Sequence, residues 1–239
     1  LIAGSVEGLS PTNITILDAS RHTHTILSVP GPPTDPVYLE QLRTKLDERL
    51  QPGDWLVLAG SIPPPLDGSV YVDIINRASA RGVHTVLDAD GEALAAGATA
   101  RPEIVKGNRR ELERLLGRHL DDETSTLRAA REVHDAGVSC VVVTRGREGA
   151  VASTDNEYLR GVAPRVRAVS AVGSGDAFLA GVVLTLSRGG AIEDALRLGI
   201  AAGTASVLNP GTELCHRREV DILIPRVRVQ PVASPSGAR

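Results

Sequence analysis

Short uninterrupted apolar runs alternate along this chain with longer segments whose apolar residues recur every three or four positions. The spacing of Val37, Leu42 and Leu46 is typical of a helix, whereas the unbroken run at 139–143 is typical of a buried strand. The pattern predicts helices over 36–50, 70–81, 112–116, 123–136, 176–188 and 192–207, and strands over 54–59, 84–87, 104–106, 139–143 and 150–154. Strands that alternate with helices form a mostly parallel sheet with helices on both faces, so we expect an α/β fold.

Two segments lie outside this alternation. The β-prone runs 12–17 and 23–29 are separated by a short polar turn and predict a hairpin at about 12–29. A two-stranded ribbon buries little surface by itself, so we expect it to lie over the rest of the molecule as a small lid. After Pro225 the residues show no period and are rich in Pro, Ser and Arg, so 226–239 is expected to be a disordered tail behind a single domain over 1–225.

Composition excludes several classes of partner. With 239 residues, 42% of them hydrophobic, the chain can bury one large core, and its formal charge of −3 gives no reason to expect nucleic acid or a membrane as partner. Two isolated cysteines, Cys140 and Cys215, predict neither a disulfide framework nor a metal site and favour a reducing cytoplasm. Because the sequence contains no methionine, we expect that Leu1 is not a natural translation start.

The segment Gly173-Ser174-Gly175-Asp176 predicts a tight loop that opens a helix. The first N–H groups of a helix have no intrahelical partner and, with the helix dipole, can bind an anion. A carboxylate beside such a site repels the anion unless it accepts a proton from an attacking hydroxyl. By themselves these residues leave two interpretations open: a catalytic base, or an acid that only stabilises the helix dipole.

The ends of the predicted strands favour the first interpretation. Polar segments that contain glycine follow the strands that end at Leu58, Leu87, Lys106 and Val143. In parallel sheets, ligands bind beyond the carboxyl ends of the strands. We therefore expect a ligand site at this edge.

Five short segments occupy these loops. In chain order they are 60–64 (Gly-Ser-Ile-Pro-Pro), 87–94 (Leu-Asp-Ala-Asp-Gly-Glu-Ala-Leu), 108–111 (Asn-Arg-Arg-Glu), 144–149 (Thr-Arg-Gly-Arg-Glu-Gly) and 172–177 (Val-Gly-Ser-Gly-Asp-Ala). Together, over about 11–223, they resemble the ribokinase-like (PfkB) carbohydrate kinases, and within them the 1-phosphofructokinase and tagatose-6-phosphate kinase group.

The resemblance implies an ATP- and Mg²⁺-dependent kinase that acts on a phosphorylated ketohexose. It makes Asp176 the catalytic base and assigns the anion hole to Gly173, Ser174 and Gly175. It implies that ATP is bound by Lys106, Asn108, Arg110, Glu111, Thr144, Gly146, Gly149 and Gly175, with Asn108 and Glu111 also holding Mg²⁺ through water. Substrate contacts are implied for Ser61 and for Asn13 in the lid.

The chain also departs from the family. Members begin with a strand and loops that carry sugar-binding aspartates and a Gly-Gly-x-x-Asn stretch, and nothing here corresponds to them. The resemblance therefore implies that the N-terminal portion is missing. Pro11 stands where the lid motif Arg-x-Asn has its arginine, which removes a positive charge expected to hold the substrate phosphate. Read without the family, Glu111 is only an acid in a first helical turn.

The resemblance leaves the substrate open. Fructose 1-phosphate, converted to fructose 1,6-bisphosphate, is preferred over tagatose 6-phosphate. A non-catalytic nucleotide-binding remnant of such a kinase is the alternative from another class. Since a two-stranded ribbon leaves open edges, we also expect that two copies could pair through the lid as a homodimer.

Overall fold

The computed structural model describes the backbone of residues 12–18 and 23–29 and all of residues 33–234. The strands in this part of the chain are β1 (Thr12–Asp18), β2 (Thr23–Val29), β3 (Trp55–Ala59), β4 (His84–Asp88), β5 (Ile104–Asn108), β6 (Cys140–Thr144), β7 (Ala150–Thr154), β8 (Tyr158–Val162) and β9 (Arg228–Val232). The helices are α1 (Val37–Arg49), α2 (Ser69–Ser79), α3 (Gly91–Thr99), α4 (Arg109–Leu116), α5 (Glu123–Asp135), α6 (Ser174–Leu186), α7 (Ile192–Ser206) and α8 (Arg217–Leu223). None of these helices is long and apolar enough to cross a membrane. The cytoplasmic location stays a prediction.

Seven strands form one sheet in the order β3-β4-β5-β6-β7-β8-β9. Strands β3 to β6 pair in parallel, and β7, β8 and β9 are added in antiparallel fashion. Because β8 points the same way as β3 to β6, five of the seven strands share one direction. The predicted α/β fold with a mostly parallel sheet is confirmed.

Helices cover both faces of this sheet. On one face α1 to α5 bury side chains such as Leu87 and Val105. On the other face α6, α7 and α8 bury Val86 and Ile104. Successive residues of a strand thus enter different cores, which explains why the central strands are continuous apolar runs rather than alternating ones.

The predicted hairpin is present. Strands β1 and β2 pair in antiparallel register, with Thr12 opposite Val29 and Asp18 opposite Thr23. Its roles as a lid and as a contact between two copies stay predictions.

The prediction of a disordered tail is wrong for residues 228–232. These residues form β9, which pairs with β8. Only Val229 and Val232 are apolar enough to signal a strand, and they pack into different cores. Pro231 is tolerated because β9 has a neighbour on one side only among the described strands.

Helix α3 lies in a segment whose apolar pattern predicted no helix. The Asp90 side chain accepts a hydrogen bond from the Gly91 N–H at its start. Its small residues allow close approach to α2, since a Cβ placed on Gly68 would lie 2.5 Å from the Ala96 Cβ. Small side chains give a weak periodic signal, which explains why the sequence did not predict α3. It did not predict β8 or α8 either.

Candidate active site

Three polar side chains share one face of the sheet because strand residues alternate. Asp88, Lys106 and Thr144 each lie two positions beyond a residue that faces α6 and α7, namely Val86, Ile104 and Val142. Parallel pairing brings these three strand ends to the same edge. The three side chains therefore lie at one edge of the sheet, where Lys106 contacts both Asp88 and the start of α6.

Asp88 and Lys106 form a buried ion pair. The Lys106 Nζ lies 2.9 Å from Oδ1 and 2.8 Å from Oδ2 of Asp88, and the two side chains are only 7% and 11% exposed. Burial raises the pKa of the Asp88 carboxyl, Lys106 opposes that rise, and the negative charge of Asp176 adds to it. Two carboxylates and one ammonium thus act on one another at this edge.

The loop before α6 ends in a backbone conformation that favours glycine. Gly173 has φ +75° and precedes the first helical residue, Ser174, whose hydroxyl donates to the carbonyl of Ala171. The N–H groups of Gly175 and Asp176 have no acceptor in the part of the chain that the structure describes. Two N–H donors are thus available beside the exposed Asp176 carboxylate, as at the start of other helices.

Lys106 lies directly beneath this first turn. A Cβ placed on Gly175 would come within 3.3 Å of the Lys106 Nζ. The ammonium therefore adds its charge to the N–H groups at the helix start. Any larger residue at position 175 would crowd it.

Close helix packing fixes the direction of α6. A Cβ on Gly181 would lie 2.9 Å from the Gly199 Cα, and one on Gly203 would lie 3.0 Å from the carbonyl oxygen of Ser174. These glycines let the backbone of α7 contact that of α6. The start of α6 is thereby held against a rigid neighbour.

Asn108 and Glu111 form a capping box at the start of α4. The Glu111 carboxylate accepts from the Asn108 N–H at 2.7 Å and from the Asn108 Nδ2, and the Asn108 Oδ1 accepts from the Glu111 N–H at 3.1 Å. Burial raises the pKa of Glu111, the bond from the Asn108 N–H and the charge of Lys106 oppose that rise, and Asp88 and Asp90 add to it. Among the described residues no three His, Cys, Asp or Glu side chains could hold a metal ion.

The loop from Thr144 to Gly149 lies beside this capping box. Thr144 is paired with Asn108 across the sheet, and its hydroxyl lies 3.4 Å from the carbonyl oxygen of Gly107. Gly146 and Gly149 have φ of +57° and +99°. The Gly146 N–H has no acceptor among the described residues, so it is free for an anion.

Arg145 holds this loop from below. Its side chain is 11% exposed and pairs with Glu123 and Glu148, and Arg160 also pairs with Glu123 at 3.0 Å. Because these carboxylates compensate its charge, Arg145 stabilises the conformation of the loop.

The remaining predicted site residues form no hydrogen bond or ion pair with Asp88, Lys106 or the start of α6 in the part of the chain that the structure describes. Ser61 is exposed at the same edge, where the N–H of its neighbour Gly60 donates to the Asp88 carbonyl at 3.0 Å. Arg110 is exposed and makes no ion pair with a described residue. Asn13 pairs with Ser28 in the hairpin backbone. Its side chain and Pro11 lie outside the described residues.

A second loop, which the sequence did not single out, supports the start of α6. The Ser170 hydroxyl donates to the Gly211 carbonyl at 2.8 Å, and the buried Asn209 Nδ2 donates to Glu219 at 3.0 Å. The Ser170–Gly211 bond ties the segment after α7 to the loop before α6, and the Asn209–Glu219 bond ties the same segment to α8.

Residues 6–218 match the pfkB family carbohydrate kinases. The match covers most of the chain and contains all five segments described above. The chain belongs to the pfkB family. The resemblance inferred from the motifs is confirmed at this level.

Named relatives within the pfkB family agree with that assignment. The ATP-dependent 6-phosphofructokinase isozyme 2 of Escherichia coli K12 is 34% identical over 189 residues, which are 78% of this chain and 61% of that protein. The 1-phosphofructokinase of Rhodobacter capsulatus is 34% identical over 208 residues, 87% of this chain and 66% of that protein. The chain thus spans less than two thirds of the length of either relative.

Solved structures of pfkB relatives have the same fold. Phosphofructokinase-2 from Escherichia coli, in complex with potassium, matches with a TM-score of 0.84 at 30% identity, over 90% of this chain and 70% of that one. A possible 1-phosphofructokinase from Thermotoga maritima matches with a TM-score of 0.83 at 22% identity, which supports the fold alone.

Sequence reasoning gave no role to Asp88, although it noted the segment that contains it. Its signal is a carboxylate at the end of an apolar strand, close in sequence to the exposed Asp90. The sequence does not show which of Asp88 and Asp90 belongs to the site. The structure distinguishes them, because only Asp88 pairs with Lys106, 18 residues away.

Proposed function

We propose that this pfkB member transfers the γ-phosphoryl group of ATP to a hydroxyl of a phosphorylated ketohexose. The observation that carries the proposal is the exposed Asp176 carboxylate beside two N–H groups that have no acceptor among the described residues, with the Lys106 ammonium beneath them. A helix start that binds an anion gains nothing from a neighbouring carboxylate unless that carboxylate accepts a proton. This combination favours phosphoryl transfer over simple anion binding.

In this proposal Asp176 accepts the proton of the substrate hydroxyl as its oxygen attacks the γ-phosphorus. The N–H groups of Gly175 and Asp176 donate to the oxygens of the transferring group, and Lys106 offsets part of their charge. Phosphoryl transfer depends mainly on positioning and charge. The contact between α6 and α7 provides that positioning.

The residues at the start of α4 fit Mg²⁺ held through water. Mg²⁺ keeps several waters and is usually bound by one or two carboxylates together with substrate phosphates. The Asn108 and Glu111 side chains are engaged with each other, which leaves their remaining lone pairs for metal-bound water. When bound, the ion would offset part of the negative charge of the ATP phosphates. The Gly146 N–H follows the strand that pairs with Asn108 and is proposed to donate to the same phosphates.

The preferred substrate is fructose 1-phosphate, which would give fructose 1,6-bisphosphate. One relative at 34% identity is named a 1-phosphofructokinase, which supports this choice. Another at 34% is named a 6-phosphofructokinase, so fructose 6-phosphate is the second candidate. Initial rates with fructose 1-phosphate, fructose 6-phosphate and tagatose 6-phosphate distinguish these candidates by kcat/KM.

The test of the base is Asp176→Asn in the complete protein. Loss of a general base costs about 10²–10⁴-fold in rate, so kcat is expected to fall by that factor while ATP affinity changes little. Asp194→Asn is a matched control, since Asp194 is also the third residue of a helix, α7, and is exposed.

If both substitutions change kcat by the same small factor, Asp176 is not the base and only stabilises the helix dipole. If the unaltered protein binds ATP but turns over none of the three sugars, the non-catalytic remnant becomes the better description.

A further inference from the structure

Lys106 is one of two lysines in the whole sequence, and its ammonium group lies among several carboxylates. Asp88 accepts two of its hydrogen bonds, and both Asp88 and Glu111 interact with it electrostatically. Asp176, on the turn above, acts on Asp88 in the same cluster. The ammonium thus has more than one carboxylate with which it could pair.

Exposure separates the two aspartates. The Asp88 side chain is only 11% exposed at the end of β4, whereas Asp176 is exposed at the start of α6. A buried ammonium is stable only when it is paired, so Lys106 needs a partner inside the protein. Asp88 provides that partner with both oxygens, and Asp176 keeps its carboxylate open to a ligand.

We propose that Asp88 is a positioning residue, which holds the Lys106 ammonium beneath the first turn of α6 and keeps it from pairing with Asp176. This inference rests on the proposed kinase function. It assigns Asp88 no contact with substrate or nucleotide. Its effect on the reaction passes through Lys106.

Loss of the Asp88 charge would alter the site in two ways. The four-carbon stem of lysine is flexible, so the ammonium would leave its place below Gly175 and approach the remaining carboxylates. An ammonium paired with Asp176 stabilises the ionised carboxylate and opposes its acceptance of a proton. A misplaced charge near the reacting group can cost about 10²-fold in rate.

A double-mutant cycle tests this inference. The variants are Asp88→Asn, Lys106→Met and the two combined, with kcat and ATP affinity measured separately by steady-state kinetics and calorimetry. Asp88→Asn is expected to lower kcat by about 10–100-fold with a smaller change in ATP affinity. In the Lys106→Met background the same substitution is expected to change kcat less than about twofold, because its target is absent.

Folding needs its own control, because Asp88→Asn leaves a buried ammonium unpaired. If this variant does not fold, Asp88→Glu, which keeps the charge but moves the carboxylate, replaces it in the cycle. Asp47→Asn removes an acid that pairs with Arg77 and Arg81 on the far α1–α2 surface and is expected to leave kcat unchanged.

Additive effects in an active enzyme would overturn the inference, since Asp88 would then act independently of Lys106. Unchanged kcat in both Asp88 variants would overturn it as well. If the unaltered protein binds ATP without transferring phosphate, the proposed function is wrong, and this inference falls with it.

Discussion

Gly149 ends the loop that follows β6, and its backbone has φ +99° and ψ −131°. Almost only glycine adopts this conformation. A Cβ at this position would also lie 2.1 Å from the Gly161 carbonyl oxygen and 2.9 Å from the Ala163 N. Both neighbours are backbone atoms, so they cannot move away as a flexible side chain would.

The substitution Gly149→Ala therefore has two costs. The disfavoured backbone conformation costs about 1–3 kcal/mol. Forcing atoms into a packed region adds about 1–3 kcal/mol. We expect the free energy of unfolding to fall by about 2–6 kcal/mol, a large part of the 5–15 kcal/mol that is ordinary for a domain.

Gly146→Ala in the same loop is the matched control. Gly146 has φ +57°, and nothing lies within 4 Å of a Cβ placed there. Its cost is the strain alone, about 1–2 kcal/mol. The difference between the two variants therefore comes mainly from the clash with Gly161, with a smaller part from the greater backbone strain at Gly149.

Thermal unfolding can be followed by circular dichroism and by the fluorescence of Trp55, the single tryptophan. With a central difference of about 2.5 kcal/mol, the Tm of Gly149→Ala should lie roughly 5–10 °C below that of Gly146→Ala. Equal stability of the two variants would refute the reasoning, because it would mean that the β8 backbone does not confine Gly149.

Two further predictions concern single groups. Glu111→Gln should raise the Mg²⁺ concentration needed for half-maximal rate, because the carboxylate is proposed to act on metal-bound water. A titration of Mg²⁺ at fixed ATP measures this concentration. An unchanged midpoint would mean that Glu111 only caps the start of α4. Burial raises the pKa of the Cys140 thiol to about 12, so iodoacetamide at pH 8 should modify the half-buried Cys215 and spare Cys140 until the protein unfolds. Mass spectrometry counts the adducts, and equal labelling of both thiols in the folded protein would contradict the prediction.

The sequence by itself determined the alternation of strands and helices and the loops that carry the site. Apolar periodicity reports which residues face a core, and it is strong in long segments such as α5 and α7. Glycine next to polar residues at strand ends then located the loops before α4 and α6. The same reasoning failed for α3 and β9, whose small or mixed side chains give little periodic signal.

Only the tertiary structure decided which charges meet. The parallel register of β4 and β5 brings Asp88 beside Lys106 across 18 residues of chain, and no local pattern encodes that pairing. Gly199 likewise resembles any other helical glycine until α6 is seen in contact with it. Periodicity records whether a side chain is buried, whereas the identity of its partner depends on strand order and helix approach, which are set by contacts between distant segments.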